Sequence, residues 1–63
     1  MDKQALFDEL TEKLAGMGID QDRIRGQLRQ FDEYLSTLSQ EDYRKELQSL
    51  SDTDRAAANI AAV

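Results

Sequence analysis

The sequence predicts an all-α fold: a compact three-helix bundle with a short fourth helix at its C-terminal end. Three observations predict it. Apolar residues recur at helical spacing along nearly the whole chain of 63 residues. No stretch alternates apolar and polar side chains as a half-buried strand does. The places where the apolar pattern breaks coincide with residues that start and stop helices. The whole of 1–63 reads as a single helical domain.

Helix 1 is expected from about Asp2 to Ala15. Leu6, Leu10, Leu14 and Met17 follow at i, i+4, i+8 and i+11, and Phe7 joins the stripe from the side. Asp2 suits the N-cap, and Glu9 with Lys13 makes a favourable i,i+4 pair. Gly16 and Gly18 both suit the left-handed exit of a helix, so the turn is placed at Gly16–Ile19.

Helix 2 is expected from about Gln21 to Thr37, with Asp20 as N-cap. Ile19 and Ile24 form a hydrophobic staple across that start. Ile24, Leu28, Phe31, Leu35 and Leu38 then keep one apolar face. Gly26 falls on the polar side, where it costs about 1 kcal/mol against Ala and leaves room for another helix to approach.

Helix 3 is expected over 40–50. Ser39-Gln40-Glu41-Asp42 resembles a capping box, with Asp in place of Glu at the third helical position, and Leu38 with Tyr43 makes a second staple. Tyr43, Leu47 and Leu50 face inward. Ser51-Asp52-Thr53-Asp54 is strong cap chemistry and weak helix interior. A break there is favoured over a continuous helix 3, giving a short helix over about 53–62 with Ala56, Ile60 and Val63 on one face. The connections are short, so helices 1 and 2 should form an antiparallel hairpin with helix 3 packed across it.

Composition bounds the chemistry. There is no cysteine and no histidine, which removes disulfides, thiolate metal sites, the commonest metal ligand and the commonest general base. Phosphate loops, the dinucleotide fingerprint, zinc-protease and EF-hand patterns are all absent. The expectation is no enzyme activity and no cofactor. Thirteen acids against eight bases give a net charge of −5. That balance favours solubility and opposes sequence-independent binding of nucleic acid, which runs on Lys and Arg. The longest apolar run, Ile60–Val63, is far too short to span a membrane. Met1 reads as a natural start, and the uncapped apolar end reads as a boundary inside a longer chain.

Asp8 and Glu12 lie four apart with Glu9 beside them, a spacing that can hold a metal or share a proton. A solvated acidic face is the commoner reading, as it is for Asp32–Glu33 and Glu41–Asp42. Arg23, Arg25 and Arg29 are the one basic cluster. Arg25 and Arg29 share a face and can anchor a partner's carboxylate or phosphate. The competing reading is local pairing with Asp22, Asp32 or Glu33. Tyr34 is either core edge, the commoner role, or an exposed contact residue. The candidate partner contacts are therefore Arg25, Arg29 and Tyr34.

The ordered residues resemble a known family. Leu6-Phe7-Asp8-Glu9-Leu10 through Leu14, then Phe31-Asp32-Glu33-Tyr34, then Leu50-Ser51-Asp52-Thr53 with Ala57 and Ile60, look like the HAAS-type (DUF1700-like) helical domain. Ser51 and Thr53 stand where that family has a turn Gly and Pro, and the connection after helix 2 is shorter. The resemblance implies a cytoplasmic N-terminal domain of a bacterial membrane protein, acting in signalling or transcription regulation through protein contact. It carries over no catalytic residue. The expected function is a non-catalytic protein–protein interaction module. The alternative is a free-standing acidic protein that self-associates or inhibits a basic partner.

Overall fold

The computed structural model describes residues 2–62, and those residues form four helices and no strand. The helices are α1 (Lys3–Gly16), α2 (Gln21–Ser36), α3 (Gln40–Leu50) and α4 (Thr53–Ala61). The molecule measures 34 × 19 × 19 Å. Among the described residues no helix is long and apolar enough to cross a membrane. Val63, expected on the inner face of the last helix, lies outside the described residues.

Each helix starts on an acid or a hydroxyl. Asp2 accepts a hydrogen bond from the Ala5 amide at 2.8 Å, Ser39 Oγ from the Asp42 amide at 3.2 Å, and Asp52 from the Arg55 amide at 3.3 Å. Each satisfies an amide that the first helical turn leaves without a partner. Asp20 differs: its backbone is extended as a cap requires, yet its side chain makes no cap hydrogen bond.

The exit from α1 is a Schellman turn. Gly18 takes a φ of +82°. Its amide donates to the Ala15 carbonyl at 3.0 Å, and the Ile19 amide donates to the Leu14 carbonyl at 3.2 Å. This geometry corrects the reading of Met17. The helix ends at Gly16, Met17 becomes the C-cap, and its side chain turns outward to 49 % exposure. Ile19 folds back in its place and packs against the core.

The core is built on Leu6, Leu10 and Leu14, all with no exposed surface. Ile24 and Leu28 of α2, Leu50 of α3 and Ala56 and Ala57 of α4 complete one cluster, with Phe7, Ile19, Phe31, Leu47, Ile60 and Ala61 packed on its margin. Leu35 is also buried. The main helix contacts run in a ring: α1 with α2, α2 with α3, α3 with α4, and α4 with α1. The last of these is the most extensive, a contact that the short connections alone do not point to. The reason is side-chain size. Ala56 and Ala57 leave the α4 backbone free to come close to the α1 leucine stripe, and Thr53 is buried beside them.

Two ion pairs tie the ring. Lys3 Nζ donates to Asp32 at 2.6 Å between α1 and α2, and Lys13 Nζ donates to Asp54 at 2.6 Å between α1 and α4. Lys13 was expected to pair with Glu9 on its own helix, but the approach of α4 places Asp54 within reach. The close approach expected at Gly26 is absent: a methyl group there would meet no described atom within 4 Å.

Candidate interaction surface

Helix α2 presents two flanks on either side of its buried face. At about 100° per residue, Arg25 and Tyr34 lie roughly 180° apart around it. Arg25 and Arg29 flank the seam with α1, and Tyr34 flanks the seam with α4. The structure therefore brings Arg25 and Arg29 together and separates Tyr34 from them.

The α1/α2 seam holds a groove of about 310 Å³. Phe7, Ile24 and Leu28 contribute its apolar lining. Gln4, Asp8 and Thr11 line it from α1, and Gln21 and Arg25 from α2. Asp8 thus borders a groove, although the sequence pattern placed it on a plain solvated face. Its carboxylate accepts a hydrogen bond from Gln4 Nε2 at 3.0 Å. Along the same seam a second hollow is lined by Lys3, Gln4, Phe7, Leu28, Arg29 and Asp32.

Local pairing does not absorb the two arginines. Arg25 reaches Asp22 only at 4.0 Å, with both side chains more than three-quarters exposed, so the contact is worth little. Asp32 is taken by Lys3. Among the described residues Arg29 has no ion-pair or hydrogen-bond partner. Arg23 lies on the α4 flank of α2, one turn before Gln27, and donates to the Ala61 carbonyl of α4 at 3.4 Å.

The α2/α4 seam is different in character. Gln27, Gln30, Phe31, Tyr34 and Ile60 line a groove of about 240 Å³. Tyr34 is 48 % exposed, which corrects its assignment to the core edge. Phe31 takes the inner position. Its ring meets Phe7 edge-on at 6.5 Å and Tyr34 edge-on at 5.8 Å, so an aromatic row runs from α1 across α2 to the surface. Such edge-to-face contacts add roughly 0.5–1.5 kcal/mol each beyond burial. Gln27 Nε2 donates to the Ile60 carbonyl at 3.3 Å, and its Oε1 is buried without a described partner. Sequence spacing alone does not reveal this stripe, because Ile60 is thirty-three residues from Gln27.

The electrostatics of the bundle centre on the two inter-helix lysines. The hydrogen bond and charge of Asp32 raise the Lys3 pKa above its ordinary value. The hydrogen bond to Asp54 raises that of Lys13, helped by the charges of Asp54, Glu9 and Asp52 and opposed by partial desolvation. Among the described residues no group of three acidic side chains is gathered closely enough to hold a metal ion. Compared with known family models, curated proteins and solved structures, the chain finds no match.

Proposed function

We propose that this chain is a non-catalytic protein–protein interaction module. In this reading it is the cytoplasmic N-terminal domain of a bacterial membrane protein linked to signalling or transcription regulation, as its resemblance to HAAS-type domains implies. The observation that supports it is the α1/α2 seam. Two arginines four residues apart border the two neighbouring hollows of this seam; among the described residues Arg29 has no acidic partner and Arg25 has only the exposed 4.0 Å contact with Asp22. Arginine forks held open in this way suit a partner's carboxylates. A partner helix laying apolar side chains against Phe7 and Leu28 fits the rest of the groove.

Two measurements test the reading. The coding sequence beyond the Val63 codon should continue into apolar segments of about 20 residues. A stop codon at that point would remove the membrane-protein part. A photo-crosslinking side chain at Gln4, which is exposed and lines both hollows of the α1/α2 seam, should trap a protein in the native host. Arg25→Glu with Arg29→Glu should abolish the capture while helicity stays intact.

A second reading draws on the α2/α4 groove, whose half-exposed Tyr34 and uncharged lining offer a contact surface: a free-standing small acidic protein that associates with itself. Its rival form, inhibition of a basic partner, draws only on the net charge of −5.

A further inference from the structure

We propose that the α1/α2 seam takes one class of ligand: an amphipathic helix of a partner protein, with carboxylates along one flank and a basic residue on the other. The proposal rests on the interaction-module reading and specifies the chemistry of that seam's partner.

The two banks of the seam differ in sign. Arg25 and Arg29 stand on the α2 bank, and both are exposed. Gln4, Asp8 and Thr11 stand on the α1 bank, where Asp8 is the charged group. The Asp8 side chain accepts a hydrogen bond from Gln4, a neutral donor that leaves the carboxylate's charge uncompensated. At one end of the seam Lys3 and Asp32 hold each other at 2.6 Å and offset each other's charge. The seam is therefore basic along one side and acidic along the other.

Asp8 decides between the ligands that two arginines suit. Guanidiniums bind carboxylate and phosphate alike. A nucleic acid or an anionic lipid surface brings negative charge to both banks at once, against Asp8 and against a net charge of −5. A helix keeps the two signs apart. Neighbours of an apolar residue lie about 100° to either side of it, so an acid before it and a base after it fall on opposite flanks. One flank then meets Arg25 and Arg29 while the other meets Asp8.

Spacing and floor fit the same ligand. Arg25 and Arg29 are separated by about 6 Å along the α2 axis. A helix lying along the seam repeats that interval, so carboxylates at i and i+4 stand opposite both arginines. Gln4, Phe7 and Leu28 line both hollows, so the floor runs on from one arginine to the other. Ile24 and Leu28 are buried beneath it, which leaves the half-buried Phe7 ring as the apolar surface that a ligand side chain meets. One apolar contact with exposed ion pairs gives a weak complex, and added salt loosens it.

The test is an NMR titration of the isotope-labelled 63-residue chain with three synthetic helical peptides of about 18 residues that share one leucine stripe. The first carries Glu on one flank of the stripe and Lys on the other, the second Glu on both flanks, and the third Lys on both. A short DNA duplex is the phosphate probe. The mixed peptide should move the amide signals of Gln4, Phe7, Asp8, Arg25 and Arg29. It should bind at least about fivefold tighter than either single-sign peptide. Arg25→Gln with Arg29→Gln should weaken it by at least about fivefold with circular dichroism unchanged, since both side chains are exposed. Asp8→Lys should turn the preference toward the all-Glu peptide. If that variant perturbs the helices, Asp8→Asn should bring the all-Glu peptide level with the mixed one.

The proposal is overturned if no peptide moves the seam signals up to about 1 mM. It is overturned equally if the all-Glu peptide matches the mixed one on the parent chain, or if the preference survives both Asp8 variants. Seam shifts caused by the DNA duplex, or by concentrating the chain alone, assign the seam to a different occupant and also overturn it. The crosslinking at Gln4 separates this proposal from the reading beneath it. Capture there without the peptide preference removes this partner class and keeps the interaction module, whereas the preference without capture removes the module's host partner and keeps the chemistry of the seam.

Discussion

At Gly18 the backbone lies in the left-handed region, with φ +82°, while open space surrounds its Cα. Any side chain there meets its own backbone, so the cost is conformational and not one of packing. Gly18→Ala should destabilise the fold by about 1–2 kcal/mol. Gly26 is the opposite case. It lies inside α2 with ordinary helical angles, and a methyl group meets nothing described within 4 Å. Gly26→Ala should stabilise by about 0.5–1 kcal/mol, because it restricts the unfolded chain and adds helix propensity. Urea unfolding followed by circular dichroism should show the two midpoints moving in opposite directions. Both glycines are visible in the sequence, but only the φ value separates the required one from the tolerated one. Met17 carries the same lesson. Its spacing fits the Leu6–Leu10–Leu14 stripe, yet the turn that Gly18 makes directs Ile19 inward and leaves Met17 half exposed.

Among the helices, the caps were the most legible feature. Asp2, Ser39 and Asp52 each accept a hydrogen bond from the amide three residues ahead, and such short-range contacts depend on little beyond local sequence. Ser39→Ala should cost about 1 kcal/mol, and Asp20→Ala clearly less, since Asp20 makes no side-chain cap bond. The weight carried by α4 was less legible. Its alanines look like weak apolar residues on a short helix, but they sit in the most extensive helix–helix contact of the molecule. Ala57 is fully buried, and Ala58 beside it is exposed. Ala57→Leu should force α4 off the leucine stripe and cost about 1–3 kcal/mol, whereas Ala58→Leu should stay within about 0.5 kcal/mol of the parent. Thermal denaturation of the two variants compares them directly. Equal losses would mean that α4 is not seated by its small residues.

For the whole molecule, the two ion pairs between helices give stability a pH dependence whose sign is fixed. Lys3 and Lys13 have folded pKa values above their ordinary 10.5. The charged form is the one the fold favours, so their contribution is fully present below about pH 10.5 and is lost as the pH rises through the raised values. Melting temperature should fall above that point. The Lys3→Met, Lys13→Met double variant should show a smaller alkaline decline than the parent. These pairs were not legible in the sequence. The i,i+4 rule proposed Glu9 for Lys13, and only the packing of α4 on α1 puts Asp54 closer. The candidate contacts divide in the same way. Arg25 and Arg29 share a flank by spacing alone. That Lys3 occupies Asp32, and that Ile60 completes a groove with Tyr34, depends on which helices meet.

The contact between the first and last helices also governs when the chain can fold. Lys13 and Asp54 are 41 positions apart, so the largest interface closes a loop of most of the chain. A nascent chain emerging from a ribosome has its leucine stripe exposed from the moment α1 is made. It finds the main cover for that stripe only once α4 has also cleared the exit tunnel. Folding should therefore be late and cooperative, and arrested chains ending near Leu50 should remain sensitive to protease while chains extended past α4 become resistant.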